Sequence, residues 1–165
     1  MSTAGNFIKN VLLTGLIAGI LDLFLGVLAY YLLSNGHLPE NITVYIKNVL
    51  EYIASAAFGK DGANAVTMQI AGFLFHFFIA ISFAWFYFLI YPKVKLFQKS
   101  IVASAIIYGL FVWAVMNMAV VPLSALHSSV IPKDFTKASY QALVLIVCIA
   151  LPVSLGAQNY YRRNS

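Results

Sequence analysis

Four apolar stretches constrain this chain more than anything else in it, because each is close to or above the roughly 20 residues a helix needs to cross a hydrocarbon core. They run from about Val11 to Leu33, Ala65 to Ile90, Ile101 to Leu123 and Tyr140 to Tyr160. The 165 residues leave room for one domain, and a composition 62% hydrophobic and 9% charged lies outside the soluble range. The expected fold is all-α: a single membrane domain over residues 1–165, built as a four-transmembrane-helix bundle. The net charge of +5 does not point to nucleic acid, since the basic residues flank apolar runs, where Lys and Arg set topology. Cys148, the single cysteine, falls inside an apolar run and rules out an internal disulfide or a cysteine-based metal cluster.

The first stretch is long, carries Asp22 and ends in "AYYLLSNG" with no small-residue cleavage site, so it reads as a retained helix and not a signal peptide. Four spans put both termini on one side. That side holds Lys9, Lys93, Lys95, Lys99, Arg162 and Arg163; the other holds Lys47, Lys60, Lys133 and Lys137, mixed with Glu40, Glu51, Asp61 and Asp134. The positive-inside rule then places both termini in the cytoplasm. Tyr30, Tyr31, Tyr91, Tyr160 and Tyr161 stand at span ends, where amphipathic rings anchor at headgroup level.

Between the first two spans, Ile42, Ile46, Val49, Leu50, Ile53 and Ala57 recur at helical spacing, with Lys47 and Glu51 on the other face and "GKDG" as a closing turn signal. This predicts an additional amphipathic helix over about 42–58, interfacial or re-entrant. Asn41-Ile42-Thr43 matches a glycosylation acceptor, a short pattern that arises often by chance.

Asp22 and His76 lie about eleven residues into the first and second spans, which run in opposite directions, so both come out near mid-bilayer depth. An isolated charge there costs about 3 kcal/mol on insertion scales, so each should face protein or water and find a partner. The simplest partnership joins the two, as a neutral hydrogen-bonded pair or an ion pair that titrates as a unit. Gly15, Gly19, Asp22 and Gly26 share one helix face, and Gly15 to Gly19 is a GxxxG pattern that allows close helix approach. Gly109, Trp113 and Asn117 share a row in the third span; Cys148, Pro152 and Gly156 share one in the fourth, where Pro152 frees a carbonyl and bends the helix. The bland reading is that Asp22, His76 and Asn117 are interhelical hydrogen-bond glue, worth about 0.6 to 2 kcal/mol per contact. The Phe-rich second span reads as lipid-facing and core bulk, and His37 and His127 as solvated loop residues.

"HFFIAISFAWFYFLIYPKVKLFQ" resembles the second-span signature of the YagU-type family of small bacterial inner-membrane proteins, through His76, Phe83, Ala84, Tyr87, Pro92, Lys93, Lys95, Leu96, Phe97 and Gln98. "IASAAFGKDG", "YGLFVWAVMNMAVVPLSAL" and the proline-containing last span are similar to four-span members of the same group. The resemblance implies a bacterial inner-membrane location and a multi-span helical fold, and it brings no reaction or cofactor. It draws notice to His76 and to the loop carrying Pro92, Lys93, Lys95 and Gln98; the outer loops are shorter here than in longer relatives.

The leading expectation is a structural or accessory inner-membrane protein that assembles, as a homo-oligomer or within a larger membrane complex, through the glycine face of Gly15, Gly19 and Gly26, with membrane lipids as partners. The alternative is an oligomeric proton-responsive transporter or channel component that uses Asp22 and His76 as a relay. A second alternative is haem or metal ligation by His76, with Met116 or Met118 as a possible end-on ligand. The leading reading uses no cofactor and no metal. It is not an enzyme: Ser55 and Ser124 have no His and acid in triad order, and no paired metal-binding carboxylates occur.

Overall fold

The computed structural model describes residues 3–59, 64–125 and 134–164. These residues are helical, with no strand among those described. Helix α1 (Thr3–Leu21) runs through a π-helical turn at Asp22–Gly26 into α2 (Val27–Asn35). A separate α3 (Ile42–Phe58) follows, then α4 (Ala65–Ile90), a 3₁₀ turn at Tyr91–Lys93 and the short α5 (Lys95–Lys99). The third rod is α6 (Ile101–Val115) with a π turn at Met116–Val120; the fourth is α7 (Phe135–Leu145), a π turn at Ile146–Ala150 and α8 (Leu151–Asn164). Four helices are long and apolar enough to cross a membrane: Ala4–Asn35, Ala65–Lys93, Ile101–Val120 and Phe135–Asn164. Large apolar side chains such as Phe78 and Leu74 stand on the outer surface, 69% and 63% exposed, which water would oppose and lipid would not.

Helix starts are set by side chains that accept the free N–H groups of the first turn. Asn41 caps α3 through the Val44 N–H at 3.0 Å, so the residue of the glycosylation pattern serves as a cap. Asn64 caps α4 through Thr67, Ser100 caps α6 through Ala103, and Asp134 caps α7 through Thr136. Gly36, at φ +79°, closes α2 in the left-handed region that favours glycine. Of the "GKDG" turn, only Gly59 lies within the described residues.

Small residues set how closely the helices approach. A Cβ on Gly15 would lie 2.8 Å from the Ile81 Cα, and one on Gly19 would lie 2.9 Å from the Phe77 ring, so α1 and α4 meet backbone to backbone. Of the glycine face expected to recruit other chains, Gly15 and Gly19 are therefore covered by α4 of the same chain, and Gly26 lies against Val144 of the fourth rod. Gly109 lies against Ile146 and Gly156 against Thr14, which places the third rod on the fourth and the fourth on the first. The two rows read from spacing thus face helix neighbours. Tyr91 departs from expectation: it is 5% exposed and stacks on Tyr161 at 5.2 Å, a core ring and not an interfacial anchor.

Helix α3 forms as the periodicity requires, and it belongs to the bundle. A Cβ on Gly72 would collide with the Leu50 carbonyl oxygen, so α3 and α4 touch at backbone level. Gln69 Nε2 donates to Glu51 at 2.7 Å, Tyr45 packs edge-on to Tyr31 at 4.6 Å, and the Ala125 N–H donates to the Ala56 carbonyl at 2.8 Å. These contacts lay α3 across the end of the bundle away from the chain termini.

Candidate functional site

The three π turns prepare the site. In each, an N–H reaches back five residues instead of four: Val27 to Asp22, Val121 to Met116, and Leu151 to Ile146. Two have a visible cause in proline. Pro152 stands two residues after Ala150 and lacks the N–H that would bond the Cys148 carbonyl, and its ring would crowd that carbonyl in a regular helix. Pro122 stands two residues after Val120, with Met118 in the same relation. The Asp22–Gly26 turn contains no proline. There Gly26 leaves the space that the Asp22 carboxyl occupies, since a Cβ on Gly26 would lie 2.7 Å from Asp22 Oδ1 and 2.9 Å from Val144. π turns of this kind recur at functional sites.

All three turns border one cavity of about 100 Å³ at the centre of the bundle. Asp22 enters from the first rod, His76 from α4, Ile53 from α3, Met116 from the third rod, and Leu145 and Ile149 from the fourth. The equal depth of Asp22 and His76 read from span position is thus realised as a shared cavity. Their partnership differs from the expected direct pair. His76 Nε2 donates to the Gly19 carbonyl of α1 at 2.9 Å, a backbone acceptor exposed on the glycine face. With that nitrogen protonated, Nδ1 is the acceptor of the neutral ring. The Phe77 ring lies edge-on to the imidazole at 5.4 Å.

Among the described residues no group donates a hydrogen bond to the Asp22 carboxyl; its titratable neighbours are His76 and the buried Cys148. The arrangement brings a carboxyl and an imidazole to one small cavity, otherwise walled by apolar side chains.

Asn117 belongs elsewhere. It is 2% exposed within the Met116–Val120 turn and donates through Nδ2 to the Trp113 carbonyl at 2.8 Å, while its Oδ1 is buried without a partner. Trp113 in turn donates to Gln141 at 3.1 Å, joining the third and fourth rods. The loop residues lie at the opposite end of the bundle from α3: Gln98 Nε2 donates to the Pro92 carbonyl at 3.0 Å, and Lys93 and Lys95 are exposed. Ser55 and Ser124 donate to the backbone carbonyls of Tyr52 and Val121 at 2.6 Å. His37 is exposed, and His127, Lys60, Asp61 and Lys133 lie outside the described residues.

Among the described residues no three His, Cys, Asp or Glu side chains group as a metal site. His76 Nε2 is already engaged, Met118 is 66% exposed, and the cavity is far smaller than the roughly 300 Å³ and upward of ordinary cofactor pockets. A haem does not fit it.

Sequence reasoning missed several contributors. Ile53 was legible only as an amphipathic position, and its approach to the cavity depends on the tertiary contact at Gly72. Tyr87, bonded to Ser104, and Tyr108, which donates to the Phe83 carbonyl at 2.6 Å, form a buried polar cluster towards the termini. The shared offset of Pro122 and Pro152 from their π turns was the available signal for the widened helices. No protein-family model, curated protein or solved structure matches this chain.

Proposed function

We propose that this chain is a four-span integral membrane protein that takes up and releases a proton at Asp22 and His76, and works as a unit of a proton-responsive transporter or channel. The carrying observation is the shared cavity, in which a carboxyl without a protein donor and an imidazole with a free ring nitrogen meet between four apolar helices. Intramembrane ionisable groups of this kind serve proton relays and ion pathways, and histidine changes charge near neutral pH. The glycine face, which carried the assembly reading, supports closure of the bundle instead, so assembly of these small units as homo-oligomers or with a larger complex would use other surfaces.

The likeness of the second span to YagU-type proteins supports a bacterial inner-membrane location, and the basic residues around Lys93, Lys95 and Arg163 support cytoplasmic termini. In that topology α3 rests on the outer face, as an interfacial or re-entrant helix above the cavity. Neither a catalytic role nor a cofactor is part of this reading. Reconstituted into liposomes, the protein is expected to carry proton or solute flux that varies over about pH 5 to 8, and Asp22→Asn is expected to abolish that variation. Absence of flux in both proteins would refute the transport role.

A further inference from the structure

Two surface clefts adjoin the central cavity. One, of about 330 Å³, runs between the second and third rods under Phe78, Phe83, Phe86 and Phe111. The other, of about 310 Å³, lies between α3 and the same two rods. Ile79 borders both clefts and the cavity, Phe83 joins the first cleft to the cavity, and Ile53 and Met116 join the second to it. Ile79 and Phe83 therefore stand as the shared wall between the lipid-facing cleft, where Phe78 is 69% exposed, and the cavity that holds the Asp22 carboxyl.

We infer that this cleft and the adjoining cavity together bind a lipophilic monocation, an alkyl or aromatic ammonium, with its body in the phenylalanine cleft and its charged head at Asp22, its entry parting the Ile79 and Phe83 side chains. The inference rests on the proton-binding reading of the same site and names its substrate class. Three features fit such a ligand. The carboxyl at the closed end lacks a protein donor, and an ammonium supplies the missing charge. Phe86 and Phe111, stacked at 5.4 Å on the outer wall of the cleft, give an apolar or aromatic body a ring surface to pack on. An apolar pocket of about 150 Å³ admits benzene, so a cavity of about 100 Å³ accepts a small ammonium head but not a bulky ring.

The balance is a simple exchange. The protonated carboxyl gives its proton to water, the carboxylate pairs with the arriving cation, and the net charge of the site is unchanged. His76 keeps its Nε2–H donated to the Gly19 carbonyl throughout this exchange. The groups facing Asp22 decide whether this exchange is visible. They are His76 from α4 and Cys148 from the fourth rod, while α3 presents Ile53 and the third rod Val112 and Met116.

The test is calorimetric titration of benzylammonium into the full chain in nanodiscs, in two buffers of different ionisation heat. Saturable binding with release of about one proton is expected, weakening by up to about tenfold per pH unit as pH falls. Asp22→Asn should abolish binding, Asp22→Glu should retain it, and Ser82→Trp, at a residue that borders the phenylalanine cleft but not the cavity, should block it while leaving the His76 imidazole titration in place. Equal binding to wild type and Asp22→Asn, or binding without proton release, overturns the inference. No binding with an intact His76 titration also overturns it, assigns the cleft to lipid chains or a second copy, and leaves the proton-binding reading standing. No binding and no titration removes both.

Discussion

The two halves of the bundle use the same four rods differently. Towards the chain termini the helices are regular and the interior is closed: Val11, Ala84, Tyr87 and Val153 are fully buried, and Phe7 packs edge-on against Trp85, Phe88 and Tyr160. Tyr hydroxyls there are bonded, Tyr108 to the Phe83 carbonyl and Tyr161 to that of Phe88, while the buried Ser154 hydroxyl has no hydrogen-bond partner among the described residues. From mid-depth towards α3, three rods widen into π turns, Asp22 and His76 are only half-buried, and a cavity and two clefts replace solid packing. Regular helices with small residues at their contacts close; an extra residue per turn opens space. The first half holds the close packing, and the second holds the cavity and its two ionisable side chains.

That division can be broken at the backbone contacts first. Gly72→Leu would drive a side chain into the Leu50 carbonyl, where neither backbone can give. It is expected to cost about 3 kcal/mol or more and to detach α3, read as a lower unfolding midpoint and faster exchange of α3 amides. A wild-type midpoint would place α3 off α4. In the closed half, Tyr108→Phe removes the donor to the Phe83 carbonyl and should cost about 1 to 2 kcal/mol. The same measurement in detergent checks it, and a neutral result would contradict the closed packing.

Pro152→Ala sharpens the contrast from the other side. It restores the N–H missing after the π turn and should stabilise the fourth rod by about 1 kcal/mol, while narrowing the cavity and reducing proton response. A loss of stability would mean that the π turn has another cause. The smallest effect on stability belongs to Asp22→Asn, within about 0.5 kcal/mol, because the native carboxyl makes no hydrogen bond to the described residues. Its effect on proton response is expected to be complete.

Much of this was legible in the sequence because it depends on local spacing. Span length gave four rods, periodicity gave α3, and counting along Asp22 and His76 gave their common depth. The row of Gly109, Trp113 and Asn117 does face a neighbouring helix. What spacing does not carry is the identity of the neighbour. The Gly15 and Gly19 face reads the same whether α4 or a second copy fills it. Likewise, nothing in the local pattern says that His76 bonds the Gly19 carbonyl and not Asp22, since backbone acceptors leave no mark in a sequence. The clefts arise where the second and third rods diverge, a relation of whole helices.

The most direct test of a coupled proton site is imidazole NMR of His76 in mild detergent over about pH 5 to 8, in wild type and Asp22→Asn. A reversible titration whose midpoint moves when the carboxyl is replaced is the predicted result. A ring that never titrates, and is indifferent to the substitution, would contradict the account and make the cavity a sealed structural contact.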